Sequence, residues 1–245
     1  MIDSYFSVIQ NTLSAVLTEQ KDKLEEAAGI LAATVSSGGL IYVYGSGHAH
    51  MAAEDLFYRA GGLGCVRPVF VGPLMLHEGA VTSSVLEKKE GYLIPWLEEL
   101  SLSPADSFII VSSSGRNATP IDAALFAQKA GCKVITISGW DYSGSAPSGH
   151  SSGRRLLETG DVNLDNRVPV GDACLEHPGL SVRFSPISSV INLTILQAVA
   201  GECIQLCLAA GLPEVPVFKS GNVAGGAEYN QKIIRQYQER IPYLR

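Results

Sequence analysis

The sequence predicts an α/β sandwich built around a buried parallel sheet, and three observations carry that reading. Five short runs are apolar on nearly consecutive residues: LIYVYG at 40–45, VRPVFVG at 66–72, SFIIVSSSG at 107–115, KVITISG at 133–139 and a shorter DVNLDN at 161–166. A helix-length segment comes after most of them, which is the alternation expected of parallel strands covered on both faces. The first and third runs also end in small, polar, glycine-containing turns that open a helix, at 45–48 and 112–117. In a doubly wound sheet, ligands bind outside the carboxyl ends of such strands.

A long helix comes first. Residues 3–36 repeat apolar positions at helical spacing, with Leu13, Val16, Leu17, Leu24, Ile30 and Leu31 on one side and charges between, until Gly38-Gly39 ends the segment. Further helices are predicted at about 48–61, 84–100, 118–130 and 187–210. The Ser/Gly-rich stretch GWDYSGSAPSGHSSG at 139–153 reads as a loop over the site rather than a linker, because periodic patterns resume at once beyond it. A glycine-rich FKSGNVAGGAEYN precedes a polar helical tail. The expectation is one domain over 1–245, with its core at about 30–210.

Composition narrows the function classes. The chain has 245 residues, 46% hydrophobic and 17% charged, an ordinary globular balance too apolar for a disordered chain. A net charge of −6 without a Lys/Arg run argues against nucleic acid as a partner. The first twenty residues lack a basic region ahead of an uninterrupted apolar core, and no apolar stretch reads as long and clean enough for a bilayer, so a cytoplasmic protein with no membrane partner is expected. Five cysteines, an odd number with no C-x-x-C pair, argue against both a disulfide framework and a zinc knuckle. Cys203 and Cys207 are expected to pack as small buried hydrophobes.

The turn SSSGRN at 112–117 is the most informative stretch. Three hydroxyls and a glycine at a strand-to-helix junction offer side-chain donors beside free backbone N–H groups, where the helix dipole favours an anion. Helix capping accounts for one or two of these polar residues, not for four. The turn GSGH at 45–48 is not a dinucleotide fingerprint: His50 stands where the third glycine belongs, and VRPVFVG closes in glycine rather than in an acidic residue. No cofactor is therefore expected. No metal is expected either, because His48 and His50, two residues apart, diverge on a helix even with Glu54 and Asp55 nearby.

Two such turns, together with VYGSGHAHMAAEDLFYRAGG and IIVSSSGRNATPIDAALFAQKAG, resemble the sugar isomerase (SIS) domain family, over roughly residues 30–210. The blocks LMLHEGA, HSSGRRLLETGDV and PVGDACLE resemble a bacterial single-domain branch of it. The resemblance implies a three-layer sandwich with a five-stranded parallel sheet of flavodoxin-like order 2-1-3-4-5, and a sugar phosphate as ligand. It places phosphate contacts on Ser112, Ser114 and the Gly115 backbone. The chain also departs from the family pattern, with Asn117 where a threonine is usual and Ala49 where a serine is often found, leaving Ser46 or His48 to take over in the first loop. Phosphosugar-binding residues are thus expected at Gly45, Ser46, Gly47, His48, Ser112, Ser113, Ser114, Gly115 and Asn117.

Moving a proton between adjacent sugar carbons calls for a base, and opening the ring calls for an acid or base. A carboxylate and an imidazole suit those tasks when burial lifts the carboxylate toward neutrality. Glu54, two turns into the helix after the first loop, is the candidate base, with His50 four residues back on the same face to orient it. His48, His77 and His150 are the candidate histidines. The expected function is an aldose-ketose or amino-sugar phosphate isomerase. The same two turns also suit a sugar-phosphate sensor without chemistry, or an etherase or lyase acting on an N-acetylated sugar phosphate. The apolar helix at 187–210 needs burial in the core or by a partner chain, and the resemblance implies a homodimer or homotetramer with the site near the subunit interface.

Overall fold

The computed structural model describes residues 1–245 throughout. A long helix α1 (Ile2–Ser36) leads into β1 (Ile41–Gly45), and a single turn of tighter helix over Gly47–His50 passes into α2 (Met51–Leu56). Then come β2 (Val66–Pro68), α3 (Ala80–Leu86), α4 (Ile94–Glu98), β3 (Ser107–Val111), α5 (Ala118–Lys129), β4 (Lys133–Ser138), α6 (Trp140–Gly144) and β5 (Val162–Asp165). A small hairpin, β6 (Ala173–Leu175) and β7 (Phe184–Pro186), precedes α7 (Ser188–Ala209) and α8 (Gly226–Tyr237).

The five main strands form one parallel sheet in the order β2-β1-β3-β4-β5, in agreement with the order expected. Strands β1 and β3 are buried along their whole length, which is why their side chains are apolar without alternation. Helices α1, α2 and α7 pack on one face and α5 on the other, with α4 beside α5. A contiguous core of 49 buried residues extends from Val16 to Leu244, beyond both ends of the expected 30–210. The chain after β1 turns to one side of the sheet and the chain after β3 to the other, so a crevice opens between the carboxyl ends of these two adjacent strands.

Several elements depart from the sequence reading for local reasons. The helix after β1 is shorter than expected: it stops at Leu56, and Tyr58 takes a left-handed φ of 48° as the chain turns away. The expected helix over 84–100 is broken into α3 and α4 by a turn in which Gly91 has φ of 76°. The loop 139–153 carries the short α6, and the β6–β7 hairpin, whose first strand lies inside PVGDACLE, is an element that periodicity does not predict. By length and composition α7 is apolar enough to cross a membrane, contrary to the expectation that no stretch is. In the fold its Ile191, Ile195, Leu196, Val199 and Cys203 are buried, and its main neighbour is α1. All five cysteines are free; Cys65, Cys132, Cys203 and Cys207 are buried, and burial pushes the Cys65 thiol up to about 12.

Candidate functional site

The crevice at the ends of β1 and β3 is a cleft of about 280 Å³, at the small end of ligand pockets, which run from about 300 to 1,000 Å³. Its floor and one wall are the two turns. From the first come Ser46, Gly47 and His48, and from the second Ser112, Ser113, Ser114 and Asn117. Each turn owes its shape to a glycine in the left-handed region, Gly47 at φ 56° and Gly115 at φ 57°. Gly45 and Gly115 stay outside the lining and act from beneath. A side-chain carbon on Gly45 would lie 2.4 Å from the Ala49 carbonyl oxygen, and one on Gly115 would lie 2.4 Å from the Ser143 hydroxyl.

The second turn is held open toward the cleft by its own hydrogen bonds. The Ser112 hydroxyl accepts the Gly115 N–H at 3.2 Å, which leaves its proton free to donate outward. The Ser143 hydroxyl donates to the Ser114 carbonyl at 2.7 Å, the Gly139 N–H to the Ser113 carbonyl at 3.0 Å, and the Leu156 N–H to the Gly115 carbonyl at 2.9 Å. The Ser/Gly-rich loop therefore braces the turn. Asn117 is the N-cap residue of α5, yet its side chain makes no capping hydrogen bond and lines the cleft instead. The bland capping role is not the one the amide takes.

The opposite wall was not read from the sequence. It consists of Ser84 and Glu87 from α3 and its end, Asp172 before the hairpin, and Ser188, Ser189 and Asn192 from the first turns of α7. Asp172 has φ of 69°, and its carboxylate accepts the Ile187 N–H at 3.1 Å, the Ser188 N–H at 2.8 Å and the Ser188 hydroxyl at 2.6 Å. It thereby fixes the start of α7 against the cleft. Glu87 accepts the Ser46 hydroxyl at 2.9 Å across the cleft floor. Burial pushes its carboxyl above the usual carboxylate range, opposed by the Ser46 hydroxyl, the Lys88 charge and the Asn117 side chain. No Lys or Arg lines the cleft, so the neutral hydroxyl and amide donors and the helix N-termini are what it offers an anion.

The expected catalytic groups are dispersed. His48 is at the exposed rim of the cleft. Glu54 is on the far side of α2 from the cleft-lining Ala52, half exposed and 3.3 Å from the His50 Nε2, because two residues along a helix turn the side chain through about 200°. His77 is exposed beside Glu78, with its ring 6.1 Å from that of His50. His150 is outside the cleft, buried against the neighbouring loop: its Nε2 is 3.2 Å from Asp122 Oδ1 and its Nδ1 is 2.8 Å from the Ser152 hydroxyl. Of the carboxylate and histidine candidates taken from the sequence, only His48 faces the cleft, whose carboxylates are Glu87 and Asp172.

Fold and cleft together define a doubly wound α/β protein with a polar cleft at its topological switch point. Residues 4–139 match the family described as the SIS domain, and the chain belongs to that family. It is 47% identical over 244 residues to a UPF0309 protein of Geobacillus thermodenitrificans, covering 100% of this chain and 98% of the relative. It is 41% identical over 244 residues to a UPF0309 protein of Listeria innocua, covering 100% and 98%. Among solved structures it resembles a phosphoheptose isomerase from Neisseria gonorrhoeae with a TM-score of 0.53 and 13% identity, covering 84% of this chain and 96% of that one, a likeness of fold.

Proposed function

We propose that the protein is a sugar-phosphate isomerase in which the SSSGRN turn holds the phosphate and Glu87 moves the proton. The observation that supports this most directly is Glu87 itself, a half-buried carboxylate with its carboxyl held above the ordinary range, in a cleft whose other polar groups are hydroxyls, amides, the His48 imidazole at the rim and an Asp172 carboxylate already committed to the start of α7. A base of that kind is matched to neutral-pH proton transfer. Membership in the SIS family and the isomerase named for the similar fold agree with the reading.

In this reading the open-chain aldose phosphate is anchored by donors from Ser112, Ser113, Ser114 and Asn117. The Glu87 carboxylate takes the proton from C2, and the C2–H electron pair becomes the C1=C2 bond of an enediol as O1 gains a proton. Return of the proton from Glu87 to C1, with loss of the O2 proton, gives the ketose. His48, at the rim, is the imidazole able to open the ring. The whole chain acts as one domain, in the cytoplasm, as a homodimer or homotetramer. The exposed Ile2, Phe6 and Leu17 on α1 favour such an assembly. Sedimentation equilibrium is expected to return two or four times the 26.0 kDa chain mass, and a strictly monomeric mass would remove this part of the proposal.

Two measurements test the main claim. Inorganic phosphate and fructose 6-phosphate are expected to raise the melting temperature by mass action. Ser112→Ala and Ser114→Ala should each weaken both ligands about tenfold, the loss of one hydrogen bond to a charged group. In deuterated buffer the bound hexose 6-phosphate should lose its C1 or C2 hydrogen to solvent. Binding without exchange across a set of aldose and ketose phosphates would leave a sensor, and undiminished binding in both serine variants would displace the phosphate from the turn.

A further inference from the structure

The first turn and the second were expected to share one task, with Ser46 among the phosphate contacts. The structure sets Ser46 apart. It is buried to 8% exposure, with its hydroxyl on the Glu87 carboxylate at 2.9 Å, whereas Ser112 turns its acceptor side to its own loop. A hydroxyl has one proton, and a proton given to Glu87 is not available to a phosphate oxygen.

A second observation concerns the hydroxyls that surround Ser46. Tyr44 and Ser46 are two residues apart in extended backbone, so their side chains project to the same face of the sheet. The Tyr44 hydroxyl is fully buried beside the hydroxyls of Ser46 and Thr119, with no hydrogen-bond partner of good geometry of its own. Burial drives its ionisation far above the ordinary tyrosine range, so it remains an O–H donor throughout the working pH range. Thr119 belongs to the first turn of α5, and its N–H donates to the Glu87 carbonyl at 3.1 Å, which ties the Glu87 backbone to that helix. Neither the Tyr44 nor the Thr119 hydroxyl is bonded to Ser46, whose proton goes to Glu87 alone.

Resting on the isomerase reading, we infer that Ser46 is a positioning residue rather than a phosphate ligand: its hydroxyl holds the Glu87 side chain across the cleft floor and favours its proton-accepting form. The consequence is a division of labour between the two turns. The turn after β3 binds the anion, and the turn after β1 tunes the base.

Titration of Glu87 by carbon-13 NMR in the ligand-free full-length protein tests this without any substrate. The resonance is assigned by its absence in Glu87→Gln. Ser46→Ala is expected to raise the Glu87 midpoint by about one pH unit, the worth of one hydrogen bond to the charged form. Ser46→Thr should restore it. Isothermal titration with inorganic phosphate supplies the second readout, in which Ser46→Ala should cost about twofold against about tenfold for Ser112→Ala. An unmoved Glu87 midpoint in Ser46→Ala, or a phosphate loss equal to that of Ser112→Ala, would overturn the inference. Should Ser46→Ala fail to fold, the near-isosteric Ser46→Cys, a much weaker donor, carries the titration, and a midpoint unmoved there would overturn it. These results stand apart from the isomerase reading, which fails instead if Glu87→Gln still exchanges the sugar hydrogen.

Discussion

Replacing Glu87 by glutamine is expected to slow hydrogen exchange at C2 of a bound hexose 6-phosphate by about a hundred- to ten-thousand-fold, the usual contribution of a positioned base. The amide keeps the shape and can still accept from Ser46, so phosphate binding should survive. Stability should move in the opposite direction from activity. The carboxyl of Glu87 is raised in the folded state above its unfolded value of about 4.3, so its contribution is fully present below that pH and is lost as pH rises through the folded value. The glutamine variant has no such loss. Its melting temperature should therefore match the natural protein near pH 4 and exceed it at pH 7 to 8. Calorimetry across that range checks the sign. A variant that melts lower at pH 8, or one that exchanges at the natural rate, would deny Glu87 the role of a buried base.

Gly45→Ala should be the most damaging single methyl group in the site. The added carbon would sit 2.4 Å from the Ala49 carbonyl oxygen, 2.5 Å from its carbonyl carbon and 2.8 Å from its Cβ, all within the turn that β1 opens into. Backbone on both sides leaves no flexible side chain to give way. Overpacking of this kind costs about 3 kcal/mol, which corresponds to about 6–12 °C in melting temperature for a chain of this size. Because the displaced turn carries Ser46, its hydrogen bond to Glu87 should weaken with it. Gly29→Ala is the matched control: nothing lies within 4 Å of the new carbon, and an alanine inside α1 should stabilise by about 0.5–1 kcal/mol. Equal melting temperatures for the two variants would mean that the close approach of β1 to its turn carries no weight.

The parts of this protein legible from sequence are those set by neighbours along the chain. Continuous apolar runs marked β1, β3 and β4, because strands buried on both faces have no polar side to show. The loop chemistry of 45–48 and 112–117 marked two ligand-facing turns, because a glycine with positive φ and a serine with a free hydroxyl are local requirements. The hidden parts depend on what folds against what. Glu87 lies in LEKKEGY, which reads as the solvated end of a helix; it becomes a cleft carboxylate because α3 ends at Leu86 and its end is drawn across to Ser46. Glu54 shows the reverse, a good candidate by spacing that faces away from the cleft because α2 is only six residues long and presents Met51 and Ala52 inward. Asp172 and the start of α7 join the site from more than fifty residues beyond the second turn, and no periodicity announces them.

Local propensity and burial on both faces were enough to place the five main strands in order and to mark the two turns that meet at the switch point, and the resemblance of the segments around those turns pointed to the family. Which carboxylate faces the cleft, and which serine serves it, emerged from the folded chain alone. A side chain's burial and its hydrogen-bond partners are properties of distant segments brought together, which no single stretch of residues encodes.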